Sequence, residues 1–269
     1  MRSCAILAAL AVALSSTRMT YAESDLELVD SSLNELLGMT VSTAARYDQA
    51  VTDAPSSVTI ITSDDIERFG YRTVAEVLGG VRGLYATNDR NYQYVGIRGF
   101  GRPTDYNNRI LLLVNGVRYN EPIWGAAAFN AELGLSTAAV DRIEVVRGPG
   151  SALYGTNAMF AVVNVITRTG NDIDGARASL EVGSFGERQG EAMFGREFAS
   201  GLDVAVSGRW QDRDGDDLYF AEYDDPSTND GVAAGLDWEE SYGLTARATY
   251  GRWSIQGLLV AREKGIPTG

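Results

Sequence analysis

The chain has 269 residues, and its 36 Asp and Glu residues outnumber its 23 Lys and Arg residues, which gives a formal charge of −13. This excess of negative charge argues against nucleic-acid binding, because that affinity comes largely from cations that neutralise phosphates. The chain has no histidine and a single cysteine, Cys4. The usual metal sites and catalytic triads built on those two side chains are therefore excluded.

The first 22 residues have the pattern of a signal peptide. Arg2 precedes an apolar run at residues 4–14, and Thr20 and Ala22 are small residues at the −3 and −1 positions of a cleavage site. The run is too short to cross a bilayer as a helix, whereas its order and length are typical of a secretory signal. We therefore expect export, with cleavage after Ala22.

Residues 23–53 are acidic and then polar. Residues 30–38 have a short helical pattern that ends at Gly38. Residues 39–45 (MTVSTAA) favour an extended conformation, but no partner strand is evident. On these patterns alone a flexible terminus is an equally good interpretation.

Residues 54–170 predict a compact α+β domain. A helix is expected over 63–69, with Ser63 as its N-cap and Gly70 at its end, and a second helix over 73–78. Asn115-Gly116 is a strong signal for a β-hairpin. Runs rich in apolar and β-branched residues predict strands at 58–62, 94–98, 109–114, 117–119, 142–146 and 161–167.

A glycine-rich stretch follows one of these strands. Gly150 and Gly155 have the spacing of a phosphate-binding P-loop, but that loop requires Lys and then Ser or Thr directly after its second glycine. This chain has Thr156 and Asn157 there. Pro149 also removes a backbone N–H donor. The stretch therefore does not predict a nucleotide site.

Residues 171–269 change to a two-residue period. Apolar and polar residues alternate in predicted strands at 177–182, 190–198, 202–210, 242–250 and 253–260, and a long acidic loop covers 212–240. Their length suits tilted membrane strands of roughly 9–11 residues, and tyrosines stand at both ends of 242–250. A soluble β-sandwich also alternates in this way, so periodicity alone leaves both architectures open.

Several segments together resemble the plug domain of TonB-dependent outer-membrane receptors. They are 54–66, 73–78, IRGFG at 97–101, LLVNGVR at 112–118, IEVVRGPGSALYG at 143–155 and NAMFAVVNVIT at 157–167. The resemblance implies an α+β plug domain at 54–170, with a small mixed sheet and short helices. Antiparallel transmembrane strands of an incomplete β-barrel would follow at 171–269. It also implies a receptor of the bacterial outer membrane rather than an enzyme, in contact with outer-membrane lipid.

The resemblance further implies three sets of site residues. A TonB box, which an energy-transducing periplasmic protein of the TonB type captures by strand pairing, would consist of Met39, Thr40, Val41, Ser42, Thr43 and Ala44. Two plug arginines, Arg98 and Arg147, would pair with barrel glutamates as a latch between plug and wall. A small ligand such as a metal chelate would contact plug loops through Arg90, Tyr92, Gln93, Tyr94, Trp124 and Phe129.

An iron–siderophore complex is the first expectation for that ligand, with cobalamin, other metal complexes and sugars open. No cofactor is expected, apart from a candidate calcium site at Asp212, Asp214 and Asp216, whose spacing follows an EF-hand loop only in part. A barrel that holds a plug belongs to the 22-strand class, so these five strands are expected to be an N-terminal fragment. The main alternative is a secreted α+β binding module without a transport role, and an enzyme comes third.

Overall fold

The computed structural model describes residues 40–41, 43, 49–50 and 57–267. The predicted signal peptide (1–22) and the predicted box residues Met39, Ser42 and Ala44 lie outside these residues. Numbered in chain order, the elements up to residue 173 are β1 Thr40–Val41, β2 Gln49–Ala50, β3 Ser57–Thr62, α1 Ser63–Phe69, α2 Val74–Gly79, β4 Leu84–Asn88, β5 Gln93–Ile97, β6 Ile110–Val114, β7 Val117–Arg118, β8 Val140–Arg147, α3 Ser151–Tyr154, β9 Ala161–Thr167 and α4 Gly170–Ile173.

The N-terminal domain is built on a five-stranded mixed sheet in the order β3-β8-β9-β6-β7. β6 and β9 pair in parallel, and the other neighbours are antiparallel. The central strands ILLLV and AVVNVIT are almost continuously apolar, as expected for strands that are covered on both faces. The small mixed sheet with short helices is thus confirmed.

The first helix has its predicted bounds but a different N-cap, and the second begins one residue later than predicted. Thr62, not Ser63, is the N-cap of α1: its hydroxyl accepts a hydrogen bond from Asp65 N at 3.2 Å, and the Asp65 carboxylate accepts from Thr62 N at 3.1 Å. Ser63 is therefore already helical, because this reciprocal capping box fixes the first turn. Thr73 caps α2 through one bond, in which its hydroxyl accepts from Glu76 N at 3.2 Å, while the Glu76 carboxylate accepts from Arg72 N.

The main core lies between the sheet, the two helices and the loops that cross them. Leu78, Leu112, Phe129, Val140 and Ile143 are completely or almost completely buried there. Each such side chain contributes roughly 1.5–3 kcal/mol relative to exposure to water. The sheet's opposite face has a smaller apolar cluster of Leu111, Leu113, Val146, Ala158 and Val162.

A second sheet follows, with the order β10-β11-β12-β15-β16 and antiparallel pairing throughout. Its strands are β10 Gly175–Val182, β11 Arg188–Glu197, β12 Leu202–Arg213, β15 Glu239–Tyr250 and β16 Trp253–Lys264, and the long acidic loop contains the short hairpin β13 Leu218–Tyr219 and β14 Val232–Ala233. All five predicted strands are present. Three have 12 residues, longer than predicted, because their charged ends turn inward and form ion pairs. Within the described residues the sheet does not close into a barrel.

The two faces of this second sheet have opposite chemistry. Its buried face, directed at the N-terminal domain, is mainly polar and includes Gln189, Glu191, Asp203, Ser207, Arg209, Glu239, Ser241 and Thr245. Its outer face is apolar and includes Leu180, Phe194, Val204, Leu244, Ile255 and Leu259. A soluble sandwich would bury the apolar face instead, so the arrangement favours a sheet that faces lipid.

Aromatic pairs mark both ends of the apolar face. Trp210 is opposite Tyr242 on neighbouring strands, and Tyr250 is opposite Trp253. The two tyrosines are separated by about 26 Å along β15, at the usual rise of a strand. Such girdles at the edges of an apolar band of roughly 25 Å are typical of outer-membrane sheets. No helix within residues 57–267 is long and apolar enough to span a bilayer.

Candidate functional site

An aromatic cavity of about 210 Å³ opens on the N-terminal domain. Its walls include Tyr92, Tyr94, Tyr106 and Tyr119. The rings of Tyr92 and Tyr106 meet edge to face with centroids 5.4 Å apart, and those of Tyr94 and Tyr106 are 6.2 Å apart. A cavity of aromatic side chains offers flat apolar surfaces to a ligand while its hydroxyl groups stay available for hydrogen bonds.

Asn107 holds this cavity together. Its side-chain oxygen accepts from Val95 N at 2.8 Å, and its amide group donates to Gln93 O and to Ala127 O, each at 2.9 Å. The amide thereby joins β5 to the loop on the opposite side of the cavity. A buried side chain with all three bonds made rigidifies its surroundings, so the cavity is pre-formed.

Two residues that line the cavity each have a buried side-chain oxygen without a hydrogen-bond partner among the described residues. These oxygens are Gln93 Oε1 and Glu132 Oε2. Burial raises the pKa of the Glu132 carboxyl, and a backbone hydrogen bond and the charge of Arg262 only partly oppose this rise. Buried acceptors without donors are rare in native proteins, so the cavity is chemically suited to a ligand that carries N–H or O–H groups.

Asp89 organises the loop at the edge of the cavity. Its carboxylate accepts from Asn91 N at 2.9 Å, from Tyr92 N at 2.7 Å and from the Tyr94 hydroxyl at 2.7 Å. Burial alone would raise the pKa of Asp89, but these hydrogen bonds outweigh it and lower the pKa. Burial and the bond to Asp89 raise the pKa of the Tyr94 hydroxyl.

The lowered pKa of Asp89 predicts an acid-sensitive loop. Because the carboxylate is favoured in the fold, its stabilisation is complete above the unfolded-state pKa of about 4. It is lost as the pH falls through the lower folded-state value. We expect protection of the Tyr92 amide from hydrogen exchange, corrected for the intrinsic rate, to fall over that range. Asp89→Asn should remove the acid step, and a step that persists in this variant would contradict the assignment.

The predicted ligand residues fall into three groups. Tyr92, Gln93 and Tyr94 line the cavity, and Trp124 is 75% exposed at the tip of a nearby loop. Phe129 is completely buried in the core, which corrects its expected contact with ligand. The aromatic pattern of its loop could not reveal that the chain turns inward after Gly125, where φ is +68°.

Arg90, the remaining predicted ligand residue, contacts the end of the acidic loop just before β15. Its guanidinium lies 3.3 Å from Asp237, whose side chain is 2% exposed and also accepts from Lys264 Nζ at 2.7 Å. Arg262 Nη2 donates to the neighbouring Asn91 O at 2.6 Å. Both residues at the loop tip are therefore held by the second sheet or by the loop that leads into it.

Ion pairs between the two sheets do not involve the arginines predicted to form the latch. Arg72 on the N-terminal domain pairs with Glu187 at 3.2 Å. Arg147 donates within its own domain to Arg82 O at 2.8 Å and to Ser57 Oγ at 2.7 Å. Arg98 is exposed and has no salt bridge to a described residue. Their pairing with barrel glutamates stays a prediction.

The glycine-rich stretch is organised around a cation. Arg118 donates to Tyr154 O and Thr156 O, each at 3.0 Å, and to the side chains of Thr156 and Asn157 at 2.8 and 3.0 Å. Carbonyl oxygens converge here, whereas a phosphate cradle presents N–H donors. Gly155 has φ of +75°, a conformation that favours glycine.

The acidic loop does not assemble the candidate calcium ligands. Asp212 lies 3.5 Å from Arg188 in a salt bridge. Among the described residues no group of three or more acidic side chains is placed to hold a metal ion. Calcium binding by Asp212, Asp214 and Asp216 stays a prediction.

The described part of the predicted TonB box is paired within its own chain. Thr40 and Val41 form β1, which pairs with Gln49 and Ala50 of β2, so the expectation of an unpaired strand is wrong for these two residues. Thr43 is buried and bonded to side chains from β8, β9 and α3. The described part of the segment is thus docked on the domain through Thr43.

The aromatic cavity and the docked segment lie at opposite ends of the second sheet. Arg90 contacts the end of the long acidic loop, just before β15, through Asp237. At the other end, Asn115 donates to Gln256 Oε1 at 3.0 Å. Gln256 lies near the start of β16, close to the short turn that joins β15 to β16. Asn115 is next to Gly116, whose N–H donates to Asn164 Oδ1, and the Nδ2 of the same Asn164 donates to Thr43.

A mixed-sheet domain against the polar face of an inside-out antiparallel sheet defines a plugged outer-membrane receptor. Residues 50–162 match the family model of the TonB-dependent receptor plug domain. The chain is 32% identical over 181 residues to the vitamin B12 transporter BtuB of Vibrio vulnificus and 36% identical over 132 residues to an iron-regulated outer membrane virulence protein of Vibrio cholerae. These matches cover 66% and 48% of this chain but 28% and 20% of the relatives.

Solved receptors share the fold. The pyoverdine receptor FpvA of Pseudomonas aeruginosa matches 83% of this chain and 30% of its own, with a TM-score of 0.59 and 16% identity. The ferric yersiniabactin receptor FyuA of Yersinia pestis matches 77% of this chain and 31% of its own, with a TM-score of 0.54 and 19% identity. Residues 50–162 are therefore the plug domain of a TonB-dependent receptor. The N-terminal domain is its plug, and the second sheet is part of its wall.

Proposed function

We propose that the protein is an outer-membrane receptor for energy-coupled uptake of a scarce ligand, with an iron–siderophore complex as the first candidate and cobalamin as the second. One observation carries the proposal: the aromatic cavity lies at the long-loop end of the wall, and the docked segment lies at the short-turn end. In outer-membrane proteins long loops face the exterior and short turns face the periplasm. Ligand and energy-transducing partner would therefore meet opposite ends of the plug.

The cavity's size and chemistry narrow the ligand. At about 210 Å³ it is smaller than pockets that enclose a whole drug-sized molecule. It would hold one arm of a larger chelate, stacked on the tyrosines, with N–H or O–H groups directed at Gln93 and Glu132. The relatives named for vitamin B12 transport and for iron regulation support both candidate ligands.

The test is uptake by a host that lacks its own siderophore and cobalamin receptors and expresses the gene that carries this chain. Uptake of a labelled iron–siderophore or of labelled cobalamin should depend on TonB. Absence of TonB-dependent uptake across a panel of both ligand classes would contradict the proposal.

Ligand contacts can be tested by truncating two aromatic residues. Tyr92→Ala combined with Trp124→Ala should weaken ligand binding about tenfold or more, because each aromatic contact contributes roughly 0.5–1.5 kcal/mol beyond its buried area. Phe69→Ala is a matched control, since Phe69 is 65% exposed and does not line the cavity. Equal affinity of the double variant and the control would rule out the two loops that carry Tyr92 and Trp124 as the contact surface.

A further inference from the structure

Every polar atom of Thr43 is bound by a plug side chain. Its backbone N–H and hydroxyl both donate to Glu144 Oε2, at 3.2 and 2.5 Å. Its hydroxyl also accepts from Asn164 Nδ2 at 3.1 Å, and its carbonyl accepts from the Tyr154 hydroxyl at 2.7 Å. Three residues that lie more than 100 positions away in the chain thus converge on one threonine.

These three side chains form a socket on the plug sheet. Glu144 and Asn164 are cross-strand neighbours on β8 and β9, and they are 0% and 4% exposed. Val146 and Val162 lie near them in the smaller apolar cluster. The socket is therefore a small group of buried polar side chains beside an apolar cluster.

Glu144 has few other donors in this position. Its second oxygen, Oε1, accepts from Arg142 Nε at 3.1 Å. Its Oε2 is bonded only to Thr43 among the described residues. A buried carboxylate requires hydrogen bonds, so departure of Thr43 would leave this oxygen dependent on water.

We propose that Glu144, Asn164 and Tyr154 hold the N-terminal segment through Thr43 and so set the fraction of time for which that segment is open to an energy-transducing partner. β1 adds pairing at only two residues, so the socket is the principal anchor of the described part of the segment. The inference rests on the proposed function for the identity of the partner, but not for the existence of the socket.

The experiment measures how often the segment opens. Val41→Cys is introduced in β1, with the chain's own Cys4 replaced by serine, and its rate of maleimide labelling is followed in isolated outer membranes without ligand or partner. Thr43→Val keeps the shape of the side chain and removes its hydroxyl, and Glu144→Gln removes the charge. Each should accelerate labelling about tenfold, because the hydroxyl's hydrogen bond to the carboxylate is lost in the first variant and loses its charge assistance in the second.

Two matched variants control for a general change in the plug. Thr43→Ser retains the hydroxyl and should label at the wild-type rate. Thr59→Val makes the same Thr-to-Val change on β3, where Thr59 is paired with Val145 and so lies on the face opposite Glu144. It should also leave the rate unchanged. Equal rates for Thr43→Val and wild type would overturn the socket.

A second readout separates the socket from the proposed function. Capture by a purified periplasmic domain of a TonB protein should increase in parallel with labelling in Thr43→Val and Glu144→Gln. If the two variants label faster but no protein, wild type included, is captured, the role of the socket would stand and the proposed TonB-type partner would be contradicted. If capture does not change with the labelling rate, the proposal that the socket controls access of the partner to the segment would be contradicted.

Discussion

Asp237→Asn is expected to lower the free energy of unfolding by about 3–5 kcal/mol, the usual cost of removing one partner from a buried ion pair. Lys264 lies 2.7 Å from this carboxylate, and Arg90 and Arg213 lie at 3.3 and 3.8 Å. The side chains of Asp237 and Lys264 are 2% and 5% exposed. Removal of the Asp237 charge would leave the buried Lys264 ammonium group without its salt-bridge partner.

Urea denaturation of the full protein in detergent micelles would measure the change. Asp230→Asn is the control, because Asp230 is an exposed carboxylate in the same acidic loop, and it should alter stability by less than about 0.5 kcal/mol. Lys264→Met combined with Asp237→Asn should cost less than the sum of the two single variants, since each alone leaves the other group unpaired. Strict additivity would show that the pair does not interact.

Phe129→Ala should destabilise the plug by about 3–5 kcal/mol, the range for removal of a buried aromatic side chain from a core. The Phe129 ring is 0% exposed and packs in the cluster with Leu78, Leu112 and Val140. Its carbonyl also accepts from Ala75 N at 2.8 Å, which fixes the chain against the start of α2. The variant would leave a cavity between the helix and the sheet.

Trp124→Ala is the matched control for this prediction, because it removes a larger aromatic side chain from the same loop at a position that is 75% exposed. It should leave stability within about 0.5 kcal/mol of wild type. Thermal unfolding followed by circular dichroism distinguishes the two variants. Similar midpoints for both would place Phe129 at the surface and reinstate it as a ligand contact.

Local chemistry accounts for what the sequence predicted well. Asn115 and Gly116 have φ of +50° and +78°, the conformation that makes Asn-Gly a hairpin signal. The alternation within the predicted strands between residues 177 and 260 likewise predicts β-strands with two different faces, although it does not distinguish a membrane sheet from a soluble sandwich. The family resemblance covers the plug's strand and helix order, which the mixed sheet confirms.

Nonlocal contacts account for what was missed. No pattern near Arg90 indicates that its partner is Asp237, 147 positions away. Tyr106 and Glu132 were not identified as cavity residues, since neither has a local signal: Tyr106 reaches the cavity from a left-handed turn at φ of +46°, and Glu132 is in a single turn of 3-10 helix. The charged ends of β12 and β16 were predicted as loop, because the sequence does not reveal the carboxylates that pair with Arg213 and Lys264.

The polar inner face of the wall has a mechanical consequence. If leucines held the plug, moving it would expose apolar surface to water, which is unfavourable. That cost would be nearly independent of salt. This plug is held largely by polar groups such as Arg72, Arg90 and Gln256, together with apolar contacts at Ile173 and Met193 and at Leu258. Water can replace each polar contact as it breaks. The ion pairs between plug and wall should therefore weaken as the ionic strength rises. The apolar contacts between the outer face of the same strands and lipid should not.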